Sequence, residues 1–227
     1  DAANKAGTTP LFYTISNNVL DMAKFLLEEK ANPLITDKEG LYPIHILASK
    51  GDIDGVKLMS KYCDINIKSP AIHQTTPFWL ACQNGNVELV KYMLINGADP
   101  NIARADLKVL PVCIAMVNKH IYVVNELLDR NNIDLNTIHS NGRTTLHYAV
   151  ELGDIAIAQR IMSKVPLLIN TVDNIGASPL NIALQQGHVY VAKLLIDSGA
   201  NAQLTDKAGN SALHYSVGAG DNGFIQL

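Results

Sequence analysis

The side chains best able to do chemistry in this sequence are seven histidines and three cysteines, Cys63, Cys82 and Cys113. Zinc binding would call for Cys-x-x-Cys pairs or a His-Glu-x-x-His helix, and neither spacing occurs. Nucleophilic catalysis would need a thiol or serine served by a histidine base. The cysteines, however, sit in apolar surroundings such as Leu80-Ala81-Cys82 and Pro111-Val112-Cys113-Ile114, where a free thiol behaves as a small hydrophobe. An odd number of unpaired cysteines is also no disulfide framework, and points to a reducing, cytoplasmic setting. Four histidines, His45, His147, His188 and His214, fall at fixed places in a longer pattern and read as structural; His73, His120 and His139 fall outside it and read as surface residues. No G-x-x-x-x-G-K-S/T phosphate loop is present. The expectation is therefore no catalytic residue, no cofactor, no metal and no enzyme activity.

The elements that position these residues follow from that longer pattern. Short stretches around Pro10, Pro43, Pro77, Pro111, Thr145, Pro179 and Ala212 recur at spacings of 33, 34, 34, 34, 34 and 33 residues. They include Thr9-Pro10-Leu11-Phe12, Tyr42-Pro43-Ile44-His45, Thr76-Pro77-Phe78-Trp79, Thr144-Thr145-Leu146-His147 and Ser178-Pro179-Leu180-Asn181. A proline at the first helical position has its φ preset and lacks only an N–H that was unpaired anyway. Small residues follow on one face (Ala48, Ala81, Ala115, Ala149, Ala183), and a glycine eight residues past most anchors ends the first helix. A second helix runs through apolar pairs such as Met93-Leu94 and Leu194-Leu195, and a polar turn such as Asp37-Lys38-Glu39-Gly40 reverses the chain. One such unit cannot bury its own apolar face, so the units must stack.

With this signature, close to T-P-L-H-x-A at a period near 33, the chain resembles the ankyrin repeat family over essentially all 227 residues. The resemblance implies an all-α fold, a solenoid of about seven helix-turn-helix repeats joined by β-hairpin-like loops. It implies a protein-protein interaction scaffold, with the hairpin tips and inner helices lining a concave groove. The alternative is an array that recruits substrates or host targets for a catalytic domain elsewhere in a multidomain effector or enzyme. Either way the partner is a protein, and the array is expected to be monomeric. The resemblance also marks Asn66 and Asn136 as possible sites of asparaginyl hydroxylation, and it assigns the recurrent histidines to hydrogen bonds within their own turns. Trp79, in a histidine slot, is expected to pack between units.

The pattern breaks in two consecutive loops. Asn136 to Gly142, Asn170 to Gly176 and Gln203 to Gly209 each span six residues, but Asn101 to Lys108 spans seven and Asn66 to Gln74 eight. Both enlarged loops lack the turn glycine, so Gln74 and Lys108 must either turn left-handed or reshape the loop. Their aspartate slots read as Ala71 and Ala105. Neighbouring loops lie side by side in a stack, so Ile72, His73 and Thr75 are expected beside Asp106, Leu107 and Val109. Exposed Ile72, Leu107 and Val109 would then make a small apolar patch, the usual mark of an interaction site. By family analogy Gln83, Asn84, Val117 and Asn118 line the adjoining inner face.

Composition agrees with a packed protein: 48% hydrophobic residues, 17% charged residues and a net charge of −3. That balance gives no electrostatic footprint for nucleic acid. The longest apolar run, Val109 to Val117, is nine residues long, far short of the roughly 20 that a membrane-spanning helix needs. The expected location is cytoplasmic, or the host cytosol for a secreted effector. Residues 1–227 read as one array cut across repeat boundaries at both ends, with Gly220 to Leu227 starting an unfinished second helix, and thus as a fragment of a longer protein.

Overall fold

A computed structural model describes residues 1–4, 7–71 and 73–218. The described residues form thirteen α-helices and one 3₁₀-helix. Each period yields a first helix opened by the anchor and a second helix running back. The chain divides into two compact units, Asp1–Leu127 and Leu128–Leu227.

The first unit holds α1 (Pro10–Ser16), α2 (Leu20–Glu28), α3 (Pro43–Lys50), α4 (Ile53–Met59), α5 (Pro77–Asn84), α6 (Val87–Ile95) and α7 (Pro111–Val117), and α8 (Ile121–Leu128) ends at its boundary. Proline occupies the first turn of α1, α3, α5 and α7. Just before it, the Thr9 and Thr76 hydroxyls accept the N–H groups of Phe12 and Trp79, satisfying donors that the helix start leaves unpaired. Gly51 and Gly85 end α3 and α5 in the left-handed conformation. At the equivalent ends of α1 and α7, Asn18 and Lys119 take positive φ without being glycine. Asp52 and Asn86 then cap α4 and α6. Helices α1, α3, α5 and α7 pack successively on one another, and α2, α4 and α6 lie along the other side. Ala48, Ala81 and Ala115 are fully buried where the inner helices meet, and Val56, Met59, Leu89, Val90 and Met93 are buried behind them.

The second unit repeats the plan with α9 (Thr145–Leu152), α10 (Ile155–Lys164), α11 (Pro179–Gln185), α12 (Val189–Asp197) and α13 (Ala212–Gly218). Here α9 packs on α11 and α11 on α13. Its core repeats the small residues Ala149 and Ala183, backed by Ile157, Ile161, Val191 and Leu195. Between α10 and the next hairpin the chain forms a 3₁₀-helix, Pro166–Asn170, because Pro166 cannot continue the α-helix. The expected second helix of the last repeat, Gly220 to Leu227, lies outside the described residues.

Candidate functional site

Each hairpin is closed by one residue whose N–H donates to a carbonyl further along. In the regular turns the bonds run from Asp37 to Leu41, His139 to Arg143, Asp173 to Ala177 and Asp206 to Asn210. Where that residue is aspartate, a carboxylate oxygen also takes two turn N–H groups, as Asp37 does from Glu39 and Leu41. In the two enlarged hairpins the closures run from Ser69 to Thr75 and from Arg104 to Val109. The closing residues are thus Ser69 and Arg104, and not Ala71 and Ala105 as counting along the sequence suggested. The extra residues fall inside the turn, after the closing position. Gln74 and Lys108 do adopt the left-handed conformation, at φ 53° and 52°, and His73 joins them at 49°.

Both substituted closing residues find new work. The Ser69 hydroxyl donates to the Gly40 carbonyl of the preceding hairpin at 2.9 Å. The Arg104 guanidinium donates to both carboxylate oxygens of Asp106, at 2.8 and 2.7 Å, and its carbon lies 5.3 Å from the centre of the Trp79 ring. These hydrogen bonds from Arg104 hold the Asp106 carboxyl down at about 2. The two enlarged hairpins are tied together, because the Ala105 N–H donates to the His73 carbonyl at 2.7 Å and His73 Nδ1 lies 3.5 Å from Asp106 Oδ2.

The structure therefore brings His73 and Asp106 together, leaves Leu107 50% exposed beside them, and exposes Gln83, Asn84, Val117 and Asn118. Ile72 lies outside the described residues. Two members of the expected site are corrected. Val109 is only 9% exposed and belongs to the core, because it is bridged to Arg104 and its carbonyl also accepts the Trp79 indole N–H at 2.9 Å. Thr75 is buried for the matching reason: its carbonyl accepts both the Ser69 N–H and the His45 imidazole, the latter at 2.9 Å. The apolar patch expected of Ile72, Leu107 and Val109 thus loses Val109.

Trp79 packs between neighbouring repeats of the first unit and does what histidine does in other repeats. His45 donates to Thr75, Trp79 to Val109 and His147 to Ala177, in each case a carbonyl two residues before the next anchor. His147 thus bonds forward to the next repeat as well as within its own turn, where Thr144 donates to its Nδ1 through both its N–H and its hydroxyl, whereas His45 Nδ1 is buried without a partner. Burial pushes His147 down to about 4 and lowers His45 as well. His139 is buried, not a surface residue, because it fills the closing slot of its hairpin and packs edge-on against Tyr148.

At the far ends of the inner helices a second row of bonds joins neighbours. Lys50 donates to the Ser16 carbonyl, Asn84 to Ser49 and Asn118 to Gln83. Among the expected surface residues, Asn84 and Asn118 thus hold the stack as well as facing solvent. The Asn66 side chain is similarly engaged, donating to Gly97 and accepting from the Asp99 N–H. Asn136 is exposed, and its side-chain amide makes no hydrogen bond among the described residues. Cys82 and Cys113 are fully buried, and burial holds the Cys82 thiol well above its ordinary range. Among the described residues no cluster of three or more His, Cys, Asp or Glu side chains could hold a metal, and no helix is long and apolar enough to cross a membrane.

Sequence reasoning missed Arg104 as a closing residue and Trp79 as a donor. The signals were an arginine two residues before an aspartate and an N–H-bearing aromatic in a histidine slot.

The family model described as ankyrin repeats in three copies matches residues 1–69, 78–166 and 162–227. Ankyrin repeat protein L371 of Acanthamoeba polyphaga mimivirus is 29% identical over 159 residues, covering 69% of this chain and 20% of that protein. An ankyrin repeat protein of Rickettsia felis is 35% identical over 101 residues, covering 43% of this chain and 32% of its own length. The chain thus spans a third or less of these relatives. Among solved structures, the ankyrin repeat domain of Bcl-3 aligns with a TM-score of 0.75 at 20% identity, covering 93% of this chain and 95% of that one. A chain in the complex of the Bdellovibrio bacteriovorus predatory endopeptidase Bd0816 with immunity protein Bd3460 aligns with a TM-score of 0.69 at 25% identity, covering 78% and 92%. Ankyrin repeats are in general protein-protein interaction modules. On its own repeats, and on a family match that covers residues 1–69 and 78–227, this chain belongs to the ankyrin repeat family.

Proposed function

We propose that this array is a non-catalytic, monomeric, cytoplasmic scaffold that seats a protein partner on the first unit. The seat comprises the joined hairpins and the adjoining inner face: His73, Asp106 and Leu107, then Gln83, Asn84, Val117 and Asn118. Thr75 and Val109 shape the hairpins from below. One observation carries this reading. The two irregular hairpins are locked to each other and to Trp79, yet Leu107 and Val117 remain 50% and 51% exposed. Rigid backbone beneath exposed apolar side chains keeps the ordering cost of binding low.

The test pairs Leu107→Asp with Val117→Asp and measures capture of the partner beside a thermal unfolding curve. Capture should fall about tenfold or more, the loss of a small apolar anchor cluster, with the unfolding curve unchanged. Tyr122, 82% exposed on the outer helix α8, supplies the control substitution Tyr122→Asp. Capture that survives the pair but fails with Tyr122→Asp puts the partner on the outer helices and overturns the assignment.

A second reading is favoured by the lengths of the relatives, of which the chain spans 20% and 32%. On that reading the array recruits targets for a domain carried elsewhere in a longer polypeptide, in which residues 1–227 form one module. Of the two asparagines similar to hydroxylation targets, Asn136 is the better acceptor, since the Asn66 amide is engaged on both sides.

A further inference from the structure

Charge is distributed unevenly within the first unit. Its hairpins and inner-helix ends carry exposed lysines at 38, 50, 68, 108 and 119. Lys38, Lys68 and Lys108 belong to three consecutive hairpins, while Lys50 and Lys119 stand at the C-terminal ends of α3 and α7. Among the described residues none of the five forms an ion pair; Lys50 alone is engaged, by the Ser16 carbonyl. The carboxylates on the same face are mostly occupied: Asp37 by turn N–H groups and Asp106 by Arg104, which leaves Glu39. On the outer helices the lysines are paired instead, Lys24 with Glu28, Lys57 with Asp54 and Lys91 with Glu88. Acidic residues also outnumber basic ones there.

Between the two lysine rows runs an aliphatic floor. Ile46, Leu80 and Ile114 occupy the same position, three residues past the anchor, on α3, α5 and α7, and all three are half-buried. The second unit offers neither feature. Its corresponding Tyr148 and Ile182 are buried and Tyr215 is half-buried, its Arg143 is taken by Glu151 and Asp173, and Lys207 stands as a single exposed hairpin lysine with no row beside it.

We infer that the first-unit groove takes an acidic segment of a partner protein that also carries apolar residues, its carboxylates meeting the lysine rows and its apolar side chains the Ile46–Leu80–Ile114 floor. This rests on the groove being the partner's seat and adds the partner's chemistry. A nucleic acid would share the negative charge, but the floor on α3, α5 and α7 is aliphatic, with Tyr13 at the same position on α1 the aromatic face left for base stacking. Unpaired lysines flanking a groove steer an anionic ligand toward it and make binding sensitive to salt.

The test uses the whole chain and fluorescence anisotropy. The probe is a labelled peptide of alternating Glu and Leu, roughly ten residues long, enough in extended form to pass three inner helices about 9–10 Å apart. The Glu–Leu peptide should bind, and binding should weaken as salt rises. The triple reversal Lys68→Glu, Lys108→Glu, Lys119→Glu should raise Kd about tenfold or more, while Lys24→Glu with Lys57→Glu and Lys91→Glu on the outer helices should not change it. Equal binding of a Gln–Leu peptide, indifference to the groove reversal, or tighter binding of single-stranded DNA of matching length would each overturn the inference. Applied to a captured natural partner, the two sets of substitutions separate the claims. If Leu107→Asp with Val117→Asp releases it and the lysine reversal does not, the seat stands and the acidic partner falls. If neither releases it, the seat itself is wrong.

Discussion

Acid should destabilise this protein well before its carboxylates titrate, and His147 is the reason. Its Nδ1 accepts from the Thr144 N–H and hydroxyl, and its Nε2–H donates to Ala177, so the buried ring is held neutral. Protonation would place a donor on Nδ1 facing the Thr144 N–H, breaking the cap while charging a buried ring. Burial lowers the folded pKa to about 4, against about 6.5 in the unfolded chain. The unfolded state therefore binds the proton first. Stability is whole above pH ~6.5 and is lost as pH falls from there toward 4, amounting to about 2.5 kcal/mol between pH 7 and 4.5. His45 is lowered by burial too and adds in the same direction. Asp106 and Asp206, held at about 2, contribute losses only below the ordinary carboxylate range. Urea unfolding followed by circular dichroism at pH 7 and 4.5 measures the loss, and an NMR titration of the His147 ring reads its pKa directly. His147→Leu should flatten the slope in that window. A His147 pKa near 6.5, or a slope undiminished in the variant, would refute the reasoning.

Two further outcomes follow from the hairpins. Trp79→Phe keeps an aromatic ring but removes the bond to the Val109 carbonyl and part of a buried ring; it should cost about 2–3 kcal/mol, measured by urea unfolding of the whole chain. Lys108→Gly relieves a left-handed lysine at φ 52° and should raise stability by about 1 kcal/mol, seen as a higher melting temperature. A drop on Lys108→Gly would mean that the lysine side chain holds the turn.

The helices were legible because their punctuation is local. Pro10, Pro43, Pro77, Pro111 and Pro179 each open a helix, and Gly51, Gly85 and Gly153 end one by taking positive φ. The hairpins were less legible because closure pairs residues across a turn of variable length. Counting from the helix exit gave Ala71 and Ala105, whereas the backbone pairs Ser69 with Thr75 and Arg104 with Val109. Val109 looked like a surface residue because its loop is irregular, but its carbonyl is claimed by the tryptophan of the preceding repeat, a contact 30 residues away in sequence. His139 was misjudged in the same way, since a histidine standing where aspartate is usual gives no local sign of burial. The lysine rows were present in the sequence all along, but a net charge of −3 conceals them until the chain is folded and the signs are sorted by face.

Asn181 stands where His147 stands one repeat earlier, 1% exposed, and neither its amide nitrogen nor its oxygen meets a partner. Histidine and tryptophan latch one repeat onto the next; asparagine, shorter by most of a ring, leaves that latch undone between α11 and α13. The second unit therefore has a built-in tear line. Unzipping should begin at its C-terminal end and stop at the His147 fastening, so a protease digesting the native protein would trim α13 first and leave α9 to α12 standing.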